Sequence, residues 1–240
     1  MKNNLKWIFI VPIIFLMTAC SKNTLSTSQT TYHADGMVAV VKGKTNPKAK
    51  LSYQMNKQAQ TKKVTNNDGS FAINVARSPQ KQNIKIKSDY QQKQLYKTVQ
   101  VAAAKPIMDY PEFAQKYNYL LLAQQQKPVL NSELNNTITN IVNTPDQTVR
   151  INVQQQKLMA VTLIYPLKAM KTKAGVQSTS KSIATVSQLI GADGRDVLKQ
   201  LAKQMRDAKK NQTSLKTITS HGKQFKLGVS SDKFYLYITE

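Results

Sequence analysis

The sequence of 240 residues is poor in side chains that disulfide-stabilised secreted domains and metal sites depend on. It contains one cysteine, Cys20, so it cannot form an intramolecular disulfide, whereas secreted disulfide scaffolds carry cysteines in pairs. Its two histidines, His33 and His221, are isolated and have no further thiol to join them in a zinc site. We therefore expect a core held by packing alone, with no metal and no other cofactor.

Acidic residues are also scarce, because 12 aspartates and glutamates stand against 35 lysines and arginines, for a formal net charge of +23. Lysine offers a hydrated point charge, whereas arginine offers a planar fork that binds phosphate or carboxylate with two hydrogen bonds. This composition favours diffuse attraction to a polyanion, with a role in solubility alone as the alternative. The few arginines are Arg77, Arg150, Arg195 and Arg206.

The first 20 residues have the pattern of an export signal. Lys2 and Lys6 precede an apolar stretch from Trp7 to Met17, and small residues follow before Cys20. The apolar stretch is about half of the ~20 residues that a membrane-spanning helix needs. Residues 1–19 are therefore predicted to be a signal peptide rather than a permanent span.

The ending Met-Thr-Ala-Cys at residues 17–20 resembles the lipobox of bacterial lipoproteins. That resemblance implies a diacylglyceryl group on the Cys20 thiol, cleavage before Cys20, and anchoring at the outer face of the cell membrane. The alternative is an ordinary secretory signal with a chance cysteine. Without the two lysines of the signal, the mature part carries a charge of +21. Its expected polyanions are anionic lipid head groups or teichoic acids, and export argues against nucleic acid.

Residues 20–35 are predicted to form a flexible tether. The segment is mostly Ser, Thr, Asn, Gln and Lys, and so little apolar surface cannot offset the entropy lost on ordering. A flexible chain of this length has a root-mean-square span of roughly 20 Å.

Residues 36–104 are predicted to form a small β-sandwich. Phe71, Ile73 and Val75 alternate with smaller or polar residues at strand period, after the turn signal Asn-Asn-Asp-Gly at residues 66–69. Further short strands are expected at residues 37–41, 51–53, 84–86 and 95–101.

Two segments of this region carry a second resemblance. Gly-Lys-Thr-Asn-Pro-Lys-Ala-Lys-Leu at residues 43–51, followed by Thr-Asn-Asn-Asp-Gly-Ser-Phe at residues 65–71, resembles the bacterial Ig-like modules of surface proteins. The resemblance implies a spacer or adhesion module without catalytic residues.

Residues 109–240 are predicted to form an α+β domain with an antiparallel sheet, after a boundary at the Ala-Lys-Pro segment of residues 102–106. Helical spacing predicts four helices. The first begins near Pro111, and the second begins at a cap on Ser132. The third covers residues 183–190, and the fourth covers residues 197–208. Strands are expected at the places where apolar or alternating residues recur, namely residues 149–153, 158–165, 215–219, 224–229 and 234–239.

The last of these helices is basic and amphipathic, so it could lie on an anionic membrane. Its apolar stripe, from Val197 to Ala208, is better explained as core, because the stripe has no Trp or Phe to sink into lipid. The basic residues around it are weak candidates for polyanion contact: Lys199, Lys203, Arg206, Lys209 and Lys210.

Motifs of known enzymes are incomplete in this sequence. Ser178 and Lys181 have the spacing of a lysine-activated serine, but the accompanying motifs are altered and in the wrong order. A pair of carboxylates brought together by the fold, as in a glycosidase, cannot be recognised from sequence. We therefore expect a non-catalytic, lipid-anchored envelope protein, with a wall-polymer hydrolase or a lipoprotein that binds a small ligand or peptide as alternatives. A convex lysine-coated surface without a pocket would favour the envelope protein. A pocket with two carboxylates would favour the hydrolase, and a closed apolar cavity would favour the ligand-binding lipoprotein.

Overall fold

A computed structural model describes residues 22–56, 60–211 and 215–240, so Cys20 and the predicted signal lie outside the described residues. The described chain is mostly β, with three sheets and three α-helices. The first eight strands are β1 (Leu25–Thr27), β2 (Thr31–Tyr32), β3 (Val38–Thr45), β4 (Lys50–Met55), β5 (Lys62–Val64), β6 (Ser70–Ala76), β7 (Gln82–Tyr90) and β8 (Lys93–Val101).

These eight strands form two sheets around one core, and we call this unit the N-terminal sandwich (residues 22–101). One sheet has the order β1-β3-β6 and the other β2-β8-β7-β4-β5. Alternate side chains of both sheets meet in the core, among them Val41 and Phe71 from the first sheet and Ile84 and Val99 from the second. The strands expected from the period-two pattern are confirmed.

The prediction of a flexible tether over residues 20–35 is wrong for residues 22–35, the part that the structure describes. β1 pairs antiparallel with β3, and β2 pairs parallel with β8. Tyr32 is buried, and its hydroxyl donates to the Lys42 carbonyl at 2.9 Å. The segment has few apolar side chains, but backbone hydrogen bonds to strands of the rest of the domain hold it in place.

The remaining chain forms a sheet covered by helices. Its elements in order are β9 (Met108–Asp109), α1 (Tyr110–Ala123), β10 (Thr137–Asn143), β11 (Thr148–Gln154), β12 (Lys157–Pro166), α2 (Lys173–Leu189), α3 (Gly194–Asn211), β13 (Ile218–Ser220), β14 (Lys223–Val229) and β15 (Lys233–Thr239). The strand order is β10-β11-β12-β15-β14-β13, all antiparallel, with β9 beside β12. The apolar strand β12 is central, as its sequence predicts.

A helix capped by Ser132 does not form, and that prediction is wrong. The segment instead contains β10, which pairs with β11 from Thr137↔Val153 to Asn143↔Thr148. Thr137, Ile138, Thr139, Ile141 and Val142 are β-branched, and such side chains are restricted in helices but fit a pleated sheet. The helical spacing of the apolar residues was therefore overridden by strand pairing.

The three helices pack on one face of this sheet. Phe113 of α1, Ile183 of α2 and Val197 of α3 lie in one core with Ile151 and Leu163 of the sheet. None of the helices in the described residues is long and apolar enough to span a membrane. The opposite face of the sheet turns toward the N-terminal sandwich and forms the site described next.

Candidate functional site

A single row of side chains crosses five strands on the face of the sheet that the helices leave uncovered. The strand register places Arg150 beside Thr162, Thr162 beside Tyr237, and Tyr237 beside Lys226. Asn140 of β10 extends the row beyond Arg150. A charged, a hydroxyl and an aromatic side chain therefore lie next to one another because alternate residues of an antiparallel strand share a face.

Except for Asn140, the residues of this row line a cleft of about 430 Å³ between the sheet and the N-terminal sandwich, which we call the interdomain cleft. Asp35, Met37 and Val38 form part of its wall on the sandwich side. On the sheet side, Tyr235 and the apolar Ile138 and Ile164 complete the lining around the row.

Buried hydrogen bonds fix the two walls of the cleft to each other. The amide of Asn152 donates to the Met37 carbonyl and to the Arg77 carbonyl, each at 3.0 Å, and Asn152 is fully buried. The Arg77 guanidinium donates in turn to the Glu240 carbonyl at 2.8 Å. At the rim, Lys226 Nζ forms an ion pair with Asp35 at 2.7 Å. The cleft therefore has walls that are positioned before any ligand arrives.

Two polar groups beside the cleft have hydrogen-bonding capacity that the described residues do not use. Arg150 uses Nε to donate to Asn140 Oδ1 at 2.8 Å, and its two terminal nitrogens have no hydrogen-bond partner within the described part of the chain. Thr162 is 2% exposed, and its Oγ1 has no partner among the described residues. A buried hydroxyl without a partner costs free energy, so a group that hydrogen-bonds to Thr162 would recover that cost on binding.

Two tyrosines form the aromatic part of the cleft. The rings of Tyr235 and Tyr237 are stacked, with centroids 5.9 Å apart and an interplanar angle of 3°. Burial, followed by the neighbouring Tyr235 and Asp35, raises the pKa of Tyr237, and the cations Lys226 and Arg150 oppose that rise. Tyr237 is therefore neutral at physiological pH and can present a flat, uncharged ring to a ligand.

The residues predicted for polyanion contact do not line the cleft. Lys199, Lys203 and Arg206 are exposed on α3, which packs on the opposite face of the sheet. Lys209 and Lys210 belong to α3 by backbone, but their side chains lie outside the described residues, as does Cys20.

The apolar stripe predicted on α3 is only partly core. Val197 and Leu201 are buried, whereas Ala202 is exposed and Met205 is 42% exposed. The stripe therefore faces the core at Val197 and Leu201 and is exposed to solvent at Ala202 and Met205.

A second pocket, of about 820 Å³, contains two carboxylates, which is the arrangement that a hydrolase would use. Asp109 and Glu112 line it at the start of α1. Lys157 is ion-paired with Asp109, and Lys116 is ion-paired with Glu112 at 2.7 Å. A glycosidase acid is kept protonated by an apolar pocket or by a second carboxylate, and here each carboxylate has a lysine beside it instead.

The other candidate motifs form no further site among the described residues. Ser178 and Lys181 are both exposed on α2. In the described part of the chain, no three His, Cys, Asp or Glu side chains come together as a metal site.

The cleft residues were not predicted from the sequence, although two signals were present. Arg150 is one of only four arginines and alternates with apolar residues in a strand. Tyr235 and Tyr237 occupy the face of β15 opposite the core residues Phe234, Leu236 and Ile238. Nothing in the sequence indicated that β11, which carries Arg150, and β15, which carries the two tyrosines, would be separated by only one strand, β12.

No family model matches the chain, and no curated protein matches it. Among solved structures, the chain is similar to the apo form of Bacteroides uniformis β-glucuronidase 3, at 9% sequence identity and a TM-score of 0.28. The alignment covers 61% of this chain and 18% of the glucuronidase chain. At this level of similarity the match says nothing about activity.

Proposed function

We propose that the protein is a lipid-anchored, non-catalytic binding protein of the bacterial cell envelope, which holds a phosphate-bearing unit of an envelope polymer in its interdomain cleft. The N-terminal sandwich serves in this proposal as an Ig-like spacer. The lipobox-like ending at Cys20 supports the anchor, and the two motif segments at residues 43–51 and 65–71 support the Ig-like assignment.

One observation carries the proposed binding site: a free guanidinium end, a buried hydroxyl without a partner and a stacked tyrosine pair converge in one cleft. The terminal nitrogens of Arg150 can donate two parallel hydrogen bonds to a phosphate. The Thr162 hydroxyl can donate to an oxygen of the adjoining polyol unit, and the flat face of Tyr237 can contact a polyol or sugar. A teichoic-acid unit has both kinds of group, a phosphate and a polyol.

The charge of the remaining surface supports a polymer rather than an isolated small molecule. The five ion pairs among the described residues use Lys87, Lys116, Lys157, Lys223 and Lys226. Most other lysines of the described chain are exposed and outside these pairs. Exposed charges attract a polyanion over about 8 Å at physiological ionic strength, so successive units of one polymer would be held next to the cleft.

The binding test uses the soluble chain from Ser21 to Glu240 with poly(glycerol phosphate), measured by calorimetry at two salt concentrations. Arg150→Gln is expected to weaken binding about tenfold, because it removes a charge-assisted contact. Arg195→Gln removes the same charge from the exposed start of α3 and is the matched control. Equal weakening by the two variants would contradict a specific site in the cleft.

Two further variants separate shape from charge. Thr162→Val keeps the volume and removes the hydroxyl, so it should weaken poly(glycerol phosphate) more than inorganic polyphosphate if the hydroxyl reads the polyol unit. Replacing Lys199, Lys203, Lys209 and Lys210 together with Gln should weaken both polymers only in part and reduce the salt dependence. A soluble chain that ignores both polymers at low salt would remove the binding proposal.

The anchor is tested by fractionating cells that express the wild type or Cys20→Ser. The wild type is expected in the membrane fraction with a diacylglyceryl group, and the variant in the medium or in an uncut form. A variant that stays membrane-bound with a cut identical to that of the wild type would contradict the lipoprotein assignment.

A further inference from the structure

The first described residues are held firmly against one end of the N-terminal sandwich. Asn23 is buried, and its amide donates to the Lys93 carbonyl at 2.8 Å, while Ser88 Oγ donates to Asn23 Oδ1 at 3.0 Å. Thr45 Oγ1 donates to the Thr24 carbonyl at 2.8 Å. The Asn46 amide reaches the Lys22 carbonyl at 3.4 Å. The chain is therefore ordered from Lys22 onward, only two residues after Cys20.

This end of the sandwich consists of three turns, at residues 45–49, 66–69 and 90–93. The Asn66 amide joins two of them by donating to the carbonyls of Asn46 and Ala49, each at 2.9 Å. β3 and β8 run between this end and the opposite end, where Asp35, Met37 and Arg77 contact the second domain. The eight residues of β3 span about 25 Å, so the two ends are well separated.

Exposed lysines surround the turns at this end. They are Lys22, Lys44, Lys48, Lys50 and Lys93. No ion pair within the described residues uses any of them. Of the nearby carboxylates, Asp89 is paired with Lys87, which leaves Asp68 as the single acidic side chain of the three turns without an ion pair.

We propose that this lysine-bearing end of the sandwich lies directly on the anionic head groups of the membrane into which the lipid on Cys20 inserts. The inference rests on the proposed anchor at Cys20. Two residues of extended chain span at most about 7 Å, so a lipidated Cys20 brings Lys22 and its surroundings to the membrane surface. Screening allows attraction between exposed lysines and head groups over about 8 Å. The interdomain cleft is then held on the far side of the sandwich, about 25 Å from the lipid surface.

The test uses the lipidated full chain, because lipid on Cys20 leaves any introduced cysteine as the only free thiol. Lys48→Cys places a fluorophore on the lysine-bearing end, and Lys81→Cys places it on the exposed loop between β6 and β7 at the opposite end. Both proteins are reconstituted into phosphatidylglycerol vesicles that carry a nitroxide on the lipid head group. We expect strong quenching at position 48 and roughly no quenching at position 81, because quenching requires close approach and the ends are about 25 Å apart.

The outcomes separate this inference from the anchor itself. Lipidated protein with equal quenching at both positions overturns the inference and leaves the anchor intact. Protein recovered without a lipid on Cys20 overturns both this inference and the proposed anchor. In phosphatidylcholine vesicles, which carry no net charge, quenching at position 48 should fall relative to phosphatidylglycerol. Equal quenching at position 48 in the two kinds of vesicle would overturn the proposed attraction between the lysines and the anionic head groups.

Discussion

Asn152 donates a hydrogen bond from its side-chain amide to the backbone carbonyl of Met37 at 3.0 Å, across 115 residues of sequence. Asn152 lies on β11 of the sheet, and Met37 immediately precedes β3 of the sandwich. The same amide reaches the Arg77 carbonyl, so one buried side chain holds two backbone segments of the other domain. The position of the interdomain cleft depends on this contact.

Asn152→Ala is expected to lower the free energy of unfolding by about 1–3 kcal/mol, because it removes two buried hydrogen bonds. The Met37 carbonyl keeps a bond from the Arg77 backbone amide at 2.9 Å, whereas the Arg77 carbonyl loses its donor among the described residues. Urea denaturation measures the change. Asn83→Ala, on the exposed side of β7, is the matched control and should change stability by less than about 0.5 kcal/mol. Similar losses in both variants would show that the buried contact does not hold the domains together.

Limited proteolysis is expected to cut between Ala102 and Asp109 and to leave two stable fragments, the first purely β by circular dichroism. Ala103 and Lys105 are exposed, although the Ala102 and Ala104 amides donate to the carbonyls of Tyr32 and Ser78. Elastase suits this segment, because Pro106 follows Lys105 and blocks trypsin. Asn152→Ala should accelerate the cut. A core that resists cleavage, or helix in the first fragment, would contradict two separable domains.

Gly43→Ala is expected to destabilise the sandwich by about 2–3 kcal/mol through overpacking. An added Cβ would lie 2.3 Å from both the Phe71 ring and the Ser26 carbonyl of β1, so β1 would have to move. Gly191→Ala is the comparison, since its Cβ meets nothing within 4 Å and the cost comes only from a φ of +78°. Thermal unfolding should show the larger loss for Gly43→Ala. Equal losses would mean that β1 does not pack against Gly43.

Ser187→Ala is expected to leave stability unchanged or raise it by up to about 1 kcal/mol. The Ser187 hydroxyl is fully buried and has no hydrogen-bond partner among the described residues, and alanine is the better helix former. Ser182→Ala, one turn earlier on α2, removes a bond of 2.8 Å to Gln147 Oε1 and should destabilise instead. Chemical denaturation of both variants measures the change in the free energy of unfolding. A change of the same sign in both variants would contradict this prediction.

Asp193→Ala is expected to lower the melting temperature more at neutral pH than in acid. The Asp193 carboxylate accepts hydrogen bonds from the Asp196 and Arg195 amides at the start of α3, and these bonds lower its pKa below the usual 3.8. A group whose pKa falls on folding stabilises the protein above its unfolded pKa and loses that effect as the pH drops through the folded value. The difference in melting temperature should therefore be constant above pH 5 and shrink below pH 3.8. A difference that grows in acid would contradict this assignment.

Periodicity identified most of the elements, because the pattern of buried residues is local in a strand or a helix. Phe71, Ile73 and Val75 alternate and are buried as predicted, and Val197 and Leu201 face the core from α3. The pattern failed at residues 132–143, where apolar residues at helical spacing form β10 because β-branched side chains and pairing with β11 favour a strand. It failed again at residues 25–32, where edge strands are held by partners that lie far away in the sequence.

The charge, the single cysteine and the strand period of the segments that contain Arg150, Thr162 and Tyr237 can all be read from the order of amino acids. That these three side chains are neighbours follows from the folded sheet, because strand order and register depend on the pairing of whole strands. Tertiary structure also decided that Asn152 meets the sandwich and that Lys22 is ordered two residues after Cys20. The physical reason is the same in each case: charge and side-chain period are local properties, whereas a cleft is formed by hydrogen bonds and burial between residues that are distant in the chain.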